Sequence, residues 1–200
     1  MITRSSRINA LLNLLLGVFA IGVLVMNVVL LRQNSSLRTV RAGPSLNKQI
    51  HEGRHLGRQL IAANLDGRLQ IVPVSADGLQ RTLIITFSPL CPHCQANQRT
   101  WLVLAAELRR RGGWRVVWIS RDAVDVTKDY CDDHDIPPIE TFADPTYRTY
   151  LGFDLWEVPN TLVVDGRGTV EKVFGGELQP ARRRELFSYL GVSLSLLPPS

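Results

Sequence analysis

The chain has 200 residues, is 45% hydrophobic and 20% charged, and carries a net charge of +5. That composition excludes disordered and collagen-like chains, and three cysteines are too few for a small scaffold stapled by several disulfides. The charge is unevenly placed: residues 1–60 hold eight Lys/Arg against one acid, and residues 61–200 hold fifteen against seventeen. The basicity therefore sits in an N-terminal appendage, and a basic groove for nucleic acid is not expected.

Residues 1–7 form a short tail, and no charged residue occurs over the 24 positions from Ile8 to Leu31. As a helix this run would be about 36 Å long, against roughly 30 Å of hydrocarbon. A single-pass transmembrane anchor over 8–31 is the expectation, since no small-x-small cleavage site follows Leu31. Arg4 and Arg7 on one side nearly balance Arg32, Arg38 and Arg41 on the other, so charge does not orient the anchor. Residues 32–56 read as a linker, broken by Ser35, Ser36, Gly43 and Pro44. His51 and His55 are spaced like metal ligands on one helix face, but with no further ligand nearby they read as solvated.

A domain is expected over 57–190, followed by a tail at 191–200. Leu69 to Val72 reads as a short strand between the turns Asp66-Gly67 and Asp77-Gly78. Leu83 to Phe87 is an apolar, β-rich run suited to a buried central strand. Pro92 to Arg111 reads as a helix, because proline fits a first turn, three arginines complement the negative end, and Gly112-Gly113 stops it. Trp114 to Ile119 is a second apolar strand, and a helix follows from about Val124 until Pro137-Pro138. A short strand near Thr141-Phe142 and a short helix around Thr146 to Leu151 come next. Thr161 to Val164 and Val170 to Phe174 flank Asp165-Gly166-Arg167-Gly168 as an antiparallel hairpin, and a last helix runs from Pro180 to Leu190. The order gives an α/β class: a mixed central sheet flanked by helices.

The chemistry centres on Cys91-Pro92-His93-Cys94, placed where a buried strand ends and a helix begins. At a helix N-terminus, unpaired N–H groups and the dipole stabilise a thiolate. Cys91 is thus the expected nucleophile, and Cys94, one turn further in, can attack the resulting mixed disulfide. A partly protonated His93 between them would favour the thiolate further. Structural zinc would need two more ligands in paired spacing, which Cys131, His51, His55 and His134 do not supply. No metal centre and no cofactor are expected. Cys131 is flanked by Asp132 and reads as a free, partly buried thiol.

Pro159 stands 65 residues after Cys94, in Val158-Pro159-Asn160-Thr161 just ahead of an apolar strand. A strand ending in C-x-x-C, then helix, strand and helix, then Val-Pro before a hairpin, resembles the thioredoxin superfamily. Thr82 to Cys94, and the run from Ala143-Asp144-Pro145 to Val173-Phe174-Gly175-Gly176, resemble TlpA/ResA-like membrane-anchored thiol-disulfide oxidoreductases in particular. The resemblance implies a thioredoxin-like fold in which Pro159 is cis and faces the cysteines, with Val158 and Trp156 bordering the partner groove. It implies disulfide exchange with protein thiols and disulfides, in the maturation of cytochrome c or other proteins. It further implies a membrane-bound electron donor or acceptor, with the domain on the periplasmic or extracytoplasmic side. Leu90 stands where such motifs often have Trp, Ile85 where thioredoxin has a buried Asp, and Asn97 where ResA-like reductases have an acid. Pro-His between the cysteines instead resembles the oxidant DsbA. The alternative is a copper metallochaperone holding Cu(I) through Cys91, Cys94 and a histidine, since soft thiolates suit that ion.

Overall fold

In the computed structural model the chain divides into two units, residues 1–48 and 49–200. The structure describes residues 50–57, 59–74, 81–147, 152–155 and 157–196, together with Leu14, Leu16, Gly17, Phe19, Gly22, Val23 and Met26, which are helical. A membrane span needs about 20 consecutive apolar helical residues. Among the described residues no helix is long and apolar enough to cross a membrane. Most of 8–31 lies outside them. The single-pass anchor is therefore corrected. The membrane-anchored kind of relative, the extracytoplasmic placement and the membrane-bound redox partner rested on that anchor and are corrected with it.

Seven strands build the second unit: β1 (Gln59–Asn64), β2 (Leu69–Pro73), β3 (Arg81–Phe87), β4 (Trp114–Ser120), β5 (Thr141–Ala143), β6 (Asn160–Val164) and β7 (Val170–Gly175). They form one sheet in the order β2-β1-β5-β4-β3-β6-β7. The three central strands β5, β4 and β3 run parallel, and β1, β2, β6 and β7 add antiparallel pairs at the two sides. The helices are α1 (Pro92–Arg111), α2 (Val124–Asp133) and α3 (Pro180–Tyr189). The expected helix around Thr146 to Leu151 falls largely outside the described residues.

Period-two alternation in the central strands sorts the core into two layers. Leu83, Ile85 and Phe87 of β3, with Val116 and Trp118 of β4, pack against Trp101, Leu104 and Leu108 of α1 and Leu186 and Phe187 of α3. Ile84, Val117 and Ile119 point the other way, toward Ile50, Leu56, Val74, Phe153 and Leu155. Trp101 and Trp118 meet edge to face at 6.0 Å, a geometry worth about 0.5–1.5 kcal/mol beyond area burial. The indole N–H of Trp101 donates to the Thr161 hydroxyl at 2.8 Å, so the largest α1 side chain reaches β6 without an unpaired polar atom.

Residues 50–57 lie against the β6–β7 hairpin. Leu56 N–H donates to the Gly168 carbonyl and Gly53 N–H to the Val170 carbonyl, both at 2.8 Å. Gly168 has φ +86°, and a Cβ there would collide with the Gly57 carbonyl, so this contact requires glycine on both counts. The three arginines ending α1 are paired: Arg109 reaches Glu140, Arg110 and Arg111 reach Glu107, and Arg111 also binds the Gly191 carbonyl.

Candidate active site

The loop from β3 into α1 sets the two cysteines at different depths. Cys91 is the N-cap residue in extended conformation, and Pro92 fills the first helical position, where no N–H is needed. The Cys91 N–H donates to the Ser88 carbonyl at 3.1 Å, and the Cys91 carbonyl accepts from the N–H groups of Cys94 and Gln95. One turn on, Cys94 is fully buried, with its Sγ 3.4 Å from the Ser88 N–H. Burial pushes the Cys94 thiol far above its ordinary range, only partly offset by the Ser88 bond, while the neighbouring Cys91 raises it further. Both cysteines are free thiols, and only the first is half-open to solvent.

Across from them, the peptide bond between Val158 and Pro159 is cis. Cys91 Sγ lies 3.8 Å from the Val158 carbonyl, in the loop that carries Pro159. β6 leaves this loop through Asn160, whose N–H donates to the Thr86 hydroxyl at 3.2 Å. A cleft of about 390 Å³ opens beside the loop, lined among others by Glu157, Val158, Pro159, Gly176 and Arg182. Trp156 lies outside the described residues, so its expected place on the groove has no structural account. Leu90 stands 76% exposed and gives the site an apolar rim where an indole was the comparison.

His93 is exposed and its ring turns to Glu177, with Nδ1 2.8 Å from Oε2. Sequence reasoning missed Glu177, Asn97's role and Tyr130. Asn97 is fully buried; its amide N–H donates to the Gly176 carbonyl at 3.1 Å, and its oxygen accepts from the Leu178 N–H at 2.7 Å. Gly176 N–H in turn donates to the Pro159 carbonyl at 2.8 Å, with Gly176 at φ +78°. One buried amide thus ties α1 to the loop that follows β7, and that loop to the cis proline. Tyr130 of α2 packs on Phe87 and bonds Gln98; burial first, then the nearby thiol of Cys94, pushes its phenol up to about 12. The paired Gly175-Gly176 was the only sequence signal for this loop, and nothing marked Tyr130.

No family model matches the chain, and no curated protein matches it. Solved structures do. A candidate thiol:disulfide interchange protein DsbE from Chlorobium tepidum superposes with TM-score 0.61 at 16% identity, over 75% of this chain and 100% of that one. The fold is thioredoxin-like. A secreted disulfide oxidoreductase of Mycobacterium tuberculosis homologous to E. coli DsbE gives 0.53 at 15%, over 66% and 95% of the two chains. The thioredoxin domain of a thiol-disulfide oxidoreductase from Bacteroides vulgatus gives 0.54 at 13%, over 71% and 99%. On this thioredoxin-like fold, Cys91-Pro92-His93-Cys94 occupies the turn from β3 into α1. Among the described residues no three His, Cys, Asp or Glu side chains are grouped as a metal site, so the copper alternative finds no third ligand beside the two thiols.

Proposed function

We propose that the protein is a thiol-disulfide oxidoreductase that exchanges disulfides with protein partners through Cys91 and Cys94. The observation that carries this reading is the unequal placement of the two thiols: Cys91 half-exposed at the N-terminus of α1 beside the cis proline loop, Cys94 buried one turn behind it.

The Cys91 thiolate attacks one sulfur of a partner disulfide. A Cys91–partner bond forms, and the partner's other sulfur leaves as a thiolate. Cys94 then gives up its proton and attacks Cys91 Sγ, which forms the Cys91–Cys94 disulfide and expels the second partner sulfur. The partner gains two electrons and the protein loses two; the reverse sequence oxidises a partner dithiol. Burial keeps Cys94 protonated until the mixed disulfide brings an electrophilic sulfur to it, so premature attack elsewhere is suppressed. Val158 offers its carbonyl beside the reacting sulfur, and Pro159 shapes the wall that meets the partner backbone. The adjoining cleft has room for the side chain next to the partner's cysteine, and Leu90 supplies apolar contact.

The test is Cys94→Ser, which removes the resolving thiol but keeps the nucleophile. Incubated with a disulfide-bonded protein substrate, this variant should accumulate a covalent adduct visible by non-reducing electrophoresis and lost in Cys91→Ser/Cys94→Ser. A folded Cys94→Ser protein that yields no adduct would count decisively against the mechanism.

A further inference from the structure

His93 stands between the two cysteines in sequence, yet its ring is held by a residue 84 positions away. Nδ1 meets Glu177 Oε2 at 2.8 Å, and the second carboxylate oxygen accepts from Gln179 Nε2 at 3.0 Å. Among the described residues no Lys or Arg pairs with Glu177, and His93 Nε2 has no hydrogen-bond partner. The carboxylate is not on a loose tether. Asn97 grips both neighbours of Glu177, through the Gly176 carbonyl and the Leu178 N–H, and Gly176 is bonded to Pro159. Glu177 is thus positioned by α1 and by the proline loop, the two elements that build the exchange site.

A carboxylate only accepts hydrogen bonds, so the proton between the groups belongs to Nδ1, and in the neutral ring Nε2 keeps its lone pair. A lone imidazolium at this helix end would stabilise the Cys91 thiolate by charge. A stabilised thiolate favours the reduced form and makes the disulfide a stronger oxidant. A ring fixed on a carboxylate through Nδ1 is not free to turn toward the sulfur and does little of this.

We infer that Glu177 is a positioning residue of the exchange reaction: it fixes the His93 ring through Nδ1, so that the ring is not free to turn its charge onto the Cys91 thiolate, holding the Cys91–Cys94 pair more reducing than Pro-His alone would make it. The inference deepens the proposed exchange function and rests on it. In equilibrium with glutathione, the disulfide takes two electrons as two glutathione thiols become one glutathione disulfide. Glu177 acts on the reduced side of that balance.

The experiment is a double-mutant cycle on the full chain, reading the glutathione equilibrium of wild type, Glu177→Gln, His93→Ala and the pair. Glu177→Gln should make the disulfide about tenfold easier to reduce, a shift of about 30 mV to less negative potential. The same substitution in the His93→Ala background should change the equilibrium by less than about twofold. No shift in Glu177→Gln overturns the inference, and so does an equal shift in both backgrounds, which would mean that the carboxylate acts by its own charge. Nitrogen NMR gives an independent readout: the neutral wild-type ring should carry its proton on Nδ1, and a ring protonated on Nε2 overturns the assignment. A wild-type pair that never equilibrates with glutathione would instead defeat the exchange reading itself.

Discussion

The N-terminal end of α1 and the C-terminal end of α2 each present a cysteine to the same apolar layer. At the first, Cys91 caps the helix, stays half-exposed and faces the carbonyl of Val158. At the second, Cys131 sits in the last turn with 1% exposure, and burial followed by the charge of Asp132 pushes its thiol up to about 11, the Thr141 contact easing it. The helix dipole adds to the contrast, since its N-terminal end favours an anion and its C-terminal end opposes one. Thiol chemistry is therefore set by which helix end the residue occupies and what covers it. The largest expected effect breaks this comparison directly. Cys91→Ser should reduce disulfide-reductase turnover to the uncatalysed rate, whereas Cys131→Ser should leave it within about twofold, because only a thiolate attacks. An insulin-reduction assay on both variants measures it, and comparable losses would mean the two ends are not chemically distinct.

A smaller effect should follow from loosening the bonds that tie α1 to the loop holding Glu177. Asn97→Ala removes one donor and one acceptor from a fully buried place, leaving the Gly176 carbonyl and the Leu178 N–H without their partner. Unpaired buried groups of this kind cost roughly 1–3 kcal/mol. Urea unfolding should show a loss of about that size, and the potential should move in the same direction as for Glu177→Gln, because the loop holding Glu177 is released. Lost stability with an unchanged potential would show that Asn97 braces the fold without reaching the chemistry.

Much of this architecture could be read from local pattern. Pro92, Arg109 to Arg111 and Gly112-Gly113 bracket α1 within the very residues the helix occupies, because caps and breakers act on their own neighbourhood. The cysteine pair and Pro159 were legible for the same reason: each is a short motif at the end of an apolar strand. β1 was not. Its Gln-Leu-Ile-Ala-Ala-Asn has two alanines and few β-branched residues, and it becomes a strand through pairing with β2 and β5. Residues 50–56 read as the end of the linker that Ser35, Ser36, Gly43 and Pro44 break up, yet Ile50 and Leu56 are buried against the far face of the sheet. Glu177 was invisible since its meaning is a contact 84 residues distant, and no spacing rule reaches that far. Asn97 drew notice only by comparison with an acid, and its two bonds explain why a neutral amide suits the place: it must donate as well as accept.

The smallest effect sharpens the comparison through pH. The Cys131 thiol is raised in the folded protein from 9.0 to about 11, so the fold favours its neutral form. Unfolding exposes the thiol, which then ionises at its ordinary value. The neutral, buried state therefore contributes its full stability below about pH 9, and that contribution is lost as pH climbs toward 11. Two units correspond to on the order of 2–3 kcal/mol, most of it gone by the upper end of that window. Reduced wild type should thus lose about 2 kcal/mol more than Cys131→Ser between pH 7.5 and 10.5 in urea unfolding, the serine hydroxyl being silent across that range. Cys94 is raised for the same first reason, and remains in both proteins, so its share cancels from the difference. If the two pH profiles instead run parallel, the α2 end does not hold its thiol neutral, and the inertness of Cys131 would have to come from inaccessibility alone.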